Sequence, residues 1–157
     1  MKALEPKQLN EIHKEAMNVS RNQQKLLSKV IELKGHLICY NLTEATRTYQ
    51  ESEILASELA KAKNTLFAVI EVHFGEINKK NVDLLSGQSN KINGEFLKMR
   101  ALGAEFKEHK AMVDYTLKTT SNHLLAQFQS LIEQKKGTEQ TPTQKKNGIY
   151  KRKGLIK

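Results

Sequence analysis

Proline is almost missing from this 157-residue chain, with Pro6 and Pro142 the only two. Everything between them lacks the residue that most reliably breaks a helix, so long helices are permitted throughout the body. Cysteine is equally scarce. The single Cys39 cannot form an internal disulfide or contribute a multi-cysteine zinc cage, and its neighbours Ile38 and Tyr40 predict a buried, reduced thiol. Long apolar runs are absent too: the longest, Leu66 to Ile70, falls far short of the roughly 20 residues that a membrane-spanning helix requires. Met1-Lys2-Ala3-Leu4-Glu5-Pro6 lacks a signal-peptide core, so the expectation is a soluble, cytoplasmic protein with membrane association unlikely among its partnerships.

Catalytic patterns are missing as well. Histidines occur at 13, 36, 73, 109 and 123, and none follows Glu in the Glu-x-x-His spacing of carboxylate-bridged metal bundles. No His-Glu-x-x-His occurs, and no glycine pair precedes Lys-Ser or Lys-Thr in the spacing of a phosphate-cradling loop. Glu71, His73 and Glu76, or Glu105 and His109, can meet on helix faces, an ordinary arrangement of solvated surfaces. Nucleophilic catalysis needs a base and an orienting group held together, and the linear order shows none. The expectation is a non-enzyme with no cofactor and no metal.

Periodicity is what the chain has in quantity. Leu9, Ile12, Ala16, Val19, Gln23, Leu26, Val30, Leu33, Leu37 and Tyr40 advance by threes and fours, a heptad stripe in which Gln23 is the one polar interruption. Leu9, Ile12, Val19, Gln23, Leu26, Val30, Leu33 and Leu37 are therefore candidate positions for helix packing or oligomerisation. The stripe then shifts phase by about one residue and resumes from Leu42 to Ile77, which means rotation around a continuing helix or a break. Asn41-Leu42-Thr43-Glu44 is an amino-terminal capping signature and argues for a break, with Gly35 nearby. The intervening His36-Leu37-Ile38-Cys39-Tyr40 carries more apolar surface than an exposed turn usually displays, and on that ground a continuous helix is expected.

Asn, Lys, Ser and Gly cluster between Asn78 and Gly94, predicting a turn or irregular connection over about 79–91. A second stripe runs from Ile92 through Phe96, Met99, Gly103 and Phe106 to Leu131, and Leu102, Leu125 and Phe128 widen it beyond a two-stranded seam. A continuous first helix from Glu5 to Lys80 would be roughly 110 Å long, against about 65 Å for Ile92 to Gln134, so its uncovered stripe would require a second chain. The predicted fold is all-α: an elongated antiparallel helical coiled coil or bundle over residues 1–134, acting as a homo-oligomer. A break near 35–41 would instead allow three comparable helices to form a self-contained three-helix bundle.

Charge is concentrated at one end. Gln134 to Lys157 carries eight Lys or Arg and one acidic residue, so +7 of the formal +9 belongs to it and +2 is left for the other 133 residues. Residues 135–157 are expected to form a disordered basic tail: Thr138 to Asn147 reads as a polar spacer, and a denser cationic end follows. Lys145, Lys146, Tyr150, Lys151, Arg152, Lys153 and Lys157 are candidate polyanion-binding residues, able to meet phosphates and stack one aromatic ring. Two functional expectations follow. One is a structural or adaptor protein that binds other proteins through its helical surface. The other is an accessory nucleic-acid-binding protein, largely indifferent to sequence, whose oligomerised body presents several tails to one polyanion.

Overall fold

The computed structural model describes residues 3–119 and 122–136, and these are helical throughout apart from short connections, with no strand among them. Helix α1 spans Pro6–Ile38, α2 Leu42–His73, α3 Lys79–Gln88, α4 Asn90–Thr119 and α5 Asn122–Lys136. The chain divides into two compact units, Met1–Thr120 and Ser121–Lys157, and the 15-residue α5 belongs to the second.

The expected continuous first helix is not found. α1 ends at Ile38, and the reversal is made by Tyr40, whose φ of 57° places it in the left-handed region. The Asn41 N–H donates to the His36 carbonyl at 2.9 Å and the Tyr40 N–H to the Leu37 carbonyl at 3.1 Å, the paired bonds of a Schellman cap. Asn41 then caps α2, its side-chain oxygen accepting from the Glu44 N–H. The apolar content that argued for continuity misleads because only Leu37 of that segment is buried; Ile38 and Tyr40 are 57% and 67% exposed. Cys39 is exposed as well, correcting the expectation of a buried thiol.

The break yields helices of 33, 32 and 30 residues in α1, α2 and α4, each roughly 45–50 Å long. That equality removes the need for a second chain to cover the first stripe. Ile12, Val19, Leu26, Val30, Leu33 and Leu37 are all buried within one chain, while Leu9 is half-buried against the core. α1 packs along both α2 and α4. Its partners in α2 run backwards, Glu11 with His73 and Lys29 with Glu51, whereas those in α4 run forwards, Ser20 with Glu95 and Lys34 with His109. α2 is therefore antiparallel to α1 and α4 parallel to it.

The connection expected over 79–91 contains a helix. Asn78 caps it by accepting from the Asn81 N–H at 2.8 Å, and Leu85 points its side chain into the core with no exposed surface. Gly75, at φ 118°, ends the preceding α2 in a conformation that suits glycine. α3 packs on α4, and its Gln88 accepts from the Leu4 N–H at 2.9 Å, so the amino-terminal strap closes over the same end of the molecule. There Ile12, Ala16, Val19, Leu66, Ile70 and Ile92 form the main apolar core.

If the Tyr40–Asn41 reversal fixes the fold, Asn41→Ala should cost about 1 kcal/mol through loss of the helix cap. Tyr40→Gly should be neutral or stabilising by up to about 1 kcal/mol, since glycine tolerates the left-handed conformation. Urea unfolding followed by helical circular dichroism measures both; a large destabilisation by Tyr40→Gly would contradict the left-handed assignment.

Candidate functional site

The polar contacts along the helices are structural in character. Lys29 bridges α1 and α2, bonding Glu51 at 2.9 Å and Glu32 at 3.3 Å, while Glu32 also takes the Thr48 hydroxyl at 3.5 Å and lies 3.6 Å from His36. The Glu51 hydrogen bond, with help from Glu32, holds the Lys29 ammonium above its usual range; the Lys29 hydrogen bond holds the Glu32 carboxyl below its own. Burial lifts the Tyr49 phenol, and the neighbouring Glu53 carboxylate adds to the effect. The histidines paired by sequence with glutamates on their own helices meet α1 instead: His73 Nε2 lies 2.6 Å from Glu11 Oε1, and the Lys34 ammonium donates to His109 Nδ1 at 2.9 Å. Among the described residues no group of three or more His, Cys, Asp or Glu is placed to hold a metal ion, and no helix is long and apolar enough to cross a membrane.

The feature with recognition potential is a groove. α2 and α4 both lie along α1 yet scarcely touch each other, so a channel runs between them with α1 as its floor. One cavity of about 390 Å³ is walled by Leu59 and Lys63 from α2 and by Leu102, Gly103 and Phe106 from α4, with Gln23 and Leu26 beneath. A second, of about 310 Å³, continues past the shared Gln23 and Lys63 towards Ile70, Ile77 and Phe96. Together they place Gln23 at the centre of an apolar trough.

Gln23 is half-buried, and its Nε2 donates to the Met99 carbonyl of α4 at 3.1 Å. Its Oε1 is buried and faces no donor among the described residues. A Cβ added to Gly103 would lie 4.0 Å from that amide, so the bare glycine keeps the trough open where Gln23 sits. The rim is cationic. Lys63, Arg100, Lys107 and Lys110 line the two cavities, and no acidic side chain does. Lys110 pairs with Asp114 at 3.6 Å, whereas Lys63, Arg100 and Lys107 form no ion pair with a described residue.

The local sequence accounts for that difference. Lys29–Glu32, Arg47–Glu44 and Lys79–Asp83 each join a cation to an acid three or four positions away on the same helix. Around Lys63, Arg100 and Lys107 those positions hold Ala, Gly, Leu, Phe or another Lys. The stripe on α1 led to Gln23 and Leu26, but the walls escaped a reading confined to single helices. Gly103 and Phe106 belong to the α4 stripe; their role as an open wall follows only from the separation of α2 and α4. The polyanion candidates Lys145, Lys146, Tyr150, Lys151, Arg152, Lys153 and Lys157 lie outside the described residues. No family model, curated protein or solved structure matches this chain.

The Lys29–Glu32 link predicts a pH signature. A carboxyl lowered by folding stabilises the protein above its ordinary value of 4.5, and that contribution disappears as pH falls through the lower folded value. The raised Lys29 acts oppositely, its contribution being complete below 10.5 and lost as pH rises through the higher folded value. Glu32→Gln should therefore reduce stability modestly at neutral pH and flatten the acid limb of the stability curve, as read by urea midpoints across the pH range. Both groups are partly exposed, so the effect is small.

Proposed function

We propose that this protein is a non-enzymatic structural or adaptor protein that acts by binding other proteins through its helical surface. The observation that carries the reading is the open apolar channel between α2 and α4, a site of the shape used for helix-in-groove recognition. Polar contacts between the long helices, Ser20 with Glu95, Lys29 with Glu51 and Lys34 with His109, tie together the scaffold that carries this channel. The body is read as a three-helix bundle with a vacant fourth flank.

The test uses the full-length protein in extract of its source cells. It should elute in a complex larger than one chain, and the complex should survive nuclease treatment. Elution as a single chain would overturn the adaptor reading.

The uneven charge supports a second reading, accessory nucleic-acid binding through residues 135–157. If five or six phosphates are neutralised, affinity for duplex DNA should fall with a log-log salt slope of about −5. A chain ending at Gln134 should lose that binding in a mobility assay. Salt-independent binding, or none at about 100 mM salt, would remove this reading.

A further inference from the structure

We infer that the channel between α2 and α4 seats one amphipathic helix of a partner protein, with an apolar face on the α1 floor and acidic residues along both flanks. This rests on the adaptor reading above and gives it a site and a ligand chemistry. Three observations converge on it.

The first is geometric. Two helices packed on a common third with few contacts between them leave a groove along it, on which a further helix can lay its apolar stripe. The lining runs from Phe96 to Lys110 on α4 and from Leu59 to Ile70 on α2, lengths of roughly 21 and 17 Å. A helix of about 15 residues spans the longer of these. An extended peptide would lack a partner here, because helices offer no free backbone edge for strand addition.

The second is electrostatic. Lys63 stands on the α2 wall while Arg100 and Lys107 stand on the α4 wall, so unneutralised positive charge flanks the apolar trough on both sides. A helix with Glu or Asp beside its apolar stripe places carboxylates opposite these cations, as charged positions flanking a coiled-coil seam do. A basic helix would meet like charge on both rims.

The third is the buried acceptor Gln23 Oε1 at the midpoint of the floor. A buried acceptor without a donor costs about 1–3 kcal/mol. Rotation of the half-buried Gln23 side chain would bring this oxygen to the channel, where an Asn or Gln at the centre of the incoming apolar face can donate to it and set the register of docking, the role polar residues serve inside helical seams.

The probe is a labelled synthetic amphipathic peptide of about 15 residues, with Leu at the stripe positions, Glu on both flanks and one central Asn. Fluorescence anisotropy with the full-length protein should show binding that weakens between about 50 and 300 mM salt. A peptide of the same composition with the stripe scrambled should bind about tenfold more weakly or not at all. Equal binding of the two would assign the effect to general attraction by the cationic chain and overturn the proposal. Gly103→Leu fills the trough beside Gln23 while replacing glycine by a better helix former, so it should abolish binding without loss of helical stability.

The combined variant Lys63→Glu, Arg100→Glu and Lys107→Glu changes only rim charges. It should prefer the Lys-flanked version of the peptide over the Glu-flanked one, reversing the native preference by about tenfold or more. An unchanged preference would overturn the electrostatic half of the inference and with it the stated partner chemistry. Sedimentation of the protein alone separates the remaining occupant: a dimer abolished by Gly103→Leu would show that a second copy fills the channel, against the proposal. If no peptide binds while the nuclease-resistant complex persists in extract, the channel assignment falls and the adaptor reading stands. If the protein elutes as a single chain in extract, the adaptor reading itself falls.

Discussion

The body is organised on α1, the surface on which both α2 and α4 are packed. A two-sided apolar helix can hold two neighbours, and the stripe from Leu9 to Leu37 is widened for this by Ser20 and Leu27, which lie outside the strict heptad and are buried along with it. The main core gathers at the end where α3 and the amino-terminal strap also close. There Ile12, Val19, Leu66, Leu85 and Ile92 come from four different helices and are all but inaccessible. Further along, α1 still buries Val30, Leu33 and Leu37, yet α4 answers with Val113 as its buried residue. The packing is thus strong on α1 and weaker between its neighbours, and this asymmetry makes the channel.

The Tyr40–Asn41 reversal controls whether that arrangement exists at all. A continuous helix would have carried the α2 stripe away from α1 and left both needing another chain. The Schellman bonds and the Asn41 cap instead turn α2 back along α1, where Lys29 and Glu51 secure the antiparallel pair. The phase slip after Tyr40 contained this information. It was outweighed in the sequence by Ile38, Cys39 and Tyr40, whose apolar character says nothing about which way they face once the helix has ended. Exposure at a turn is tolerated because isolated apolar side chains on a surface are common.

The same physics explains what else was legible. Heptad spacing identified the buried residues of α1 because a long helix repeats its facing direction many times, and each repeat reinforces the reading. α3 offered ten residues, one fully buried side chain and a Ser-Gly pair, too few turns for periodicity to outweigh turn-forming residues. Its cap, Asn78 accepting from the Asn81 N–H, sits within a cluster of Asn and Lys whose composition equally suits a turn. The channel was illegible for a different reason. It is produced by the failure of two helices to meet, and no pattern within either helix encodes a distance between them. What the sequence does encode is the missing acid three or four places from Lys63, Arg100 and Lys107, a pattern shared by Arg21, Lys25 and Lys34 and so no signal of the channel by itself.

That missing neutralisation bears on how the two cationic parts of the chain divide their work. Local balance is only partial in this chain: Lys79–Asp83 and Arg47–Glu44 are paired, whereas Arg21 and Lys25, like the rim cations, have no acid three or four places away. Three unbalanced cations beside an apolar trough couple charge to shape, so the ligand must satisfy both to gain either. The cationic end of the chain couples charge to nothing comparable in its sequence, and attraction of that kind raises encounter rates more than it selects partners. An acidic helix would be drawn by the whole +9 molecule and discriminated only at the channel, where Gln23 requires a donor and Gly103 leaves the room for one. On the proposed reading, selectivity would therefore belong to the uncharged centre of the trough, and the charges around it would decide which helices arrive to be tested.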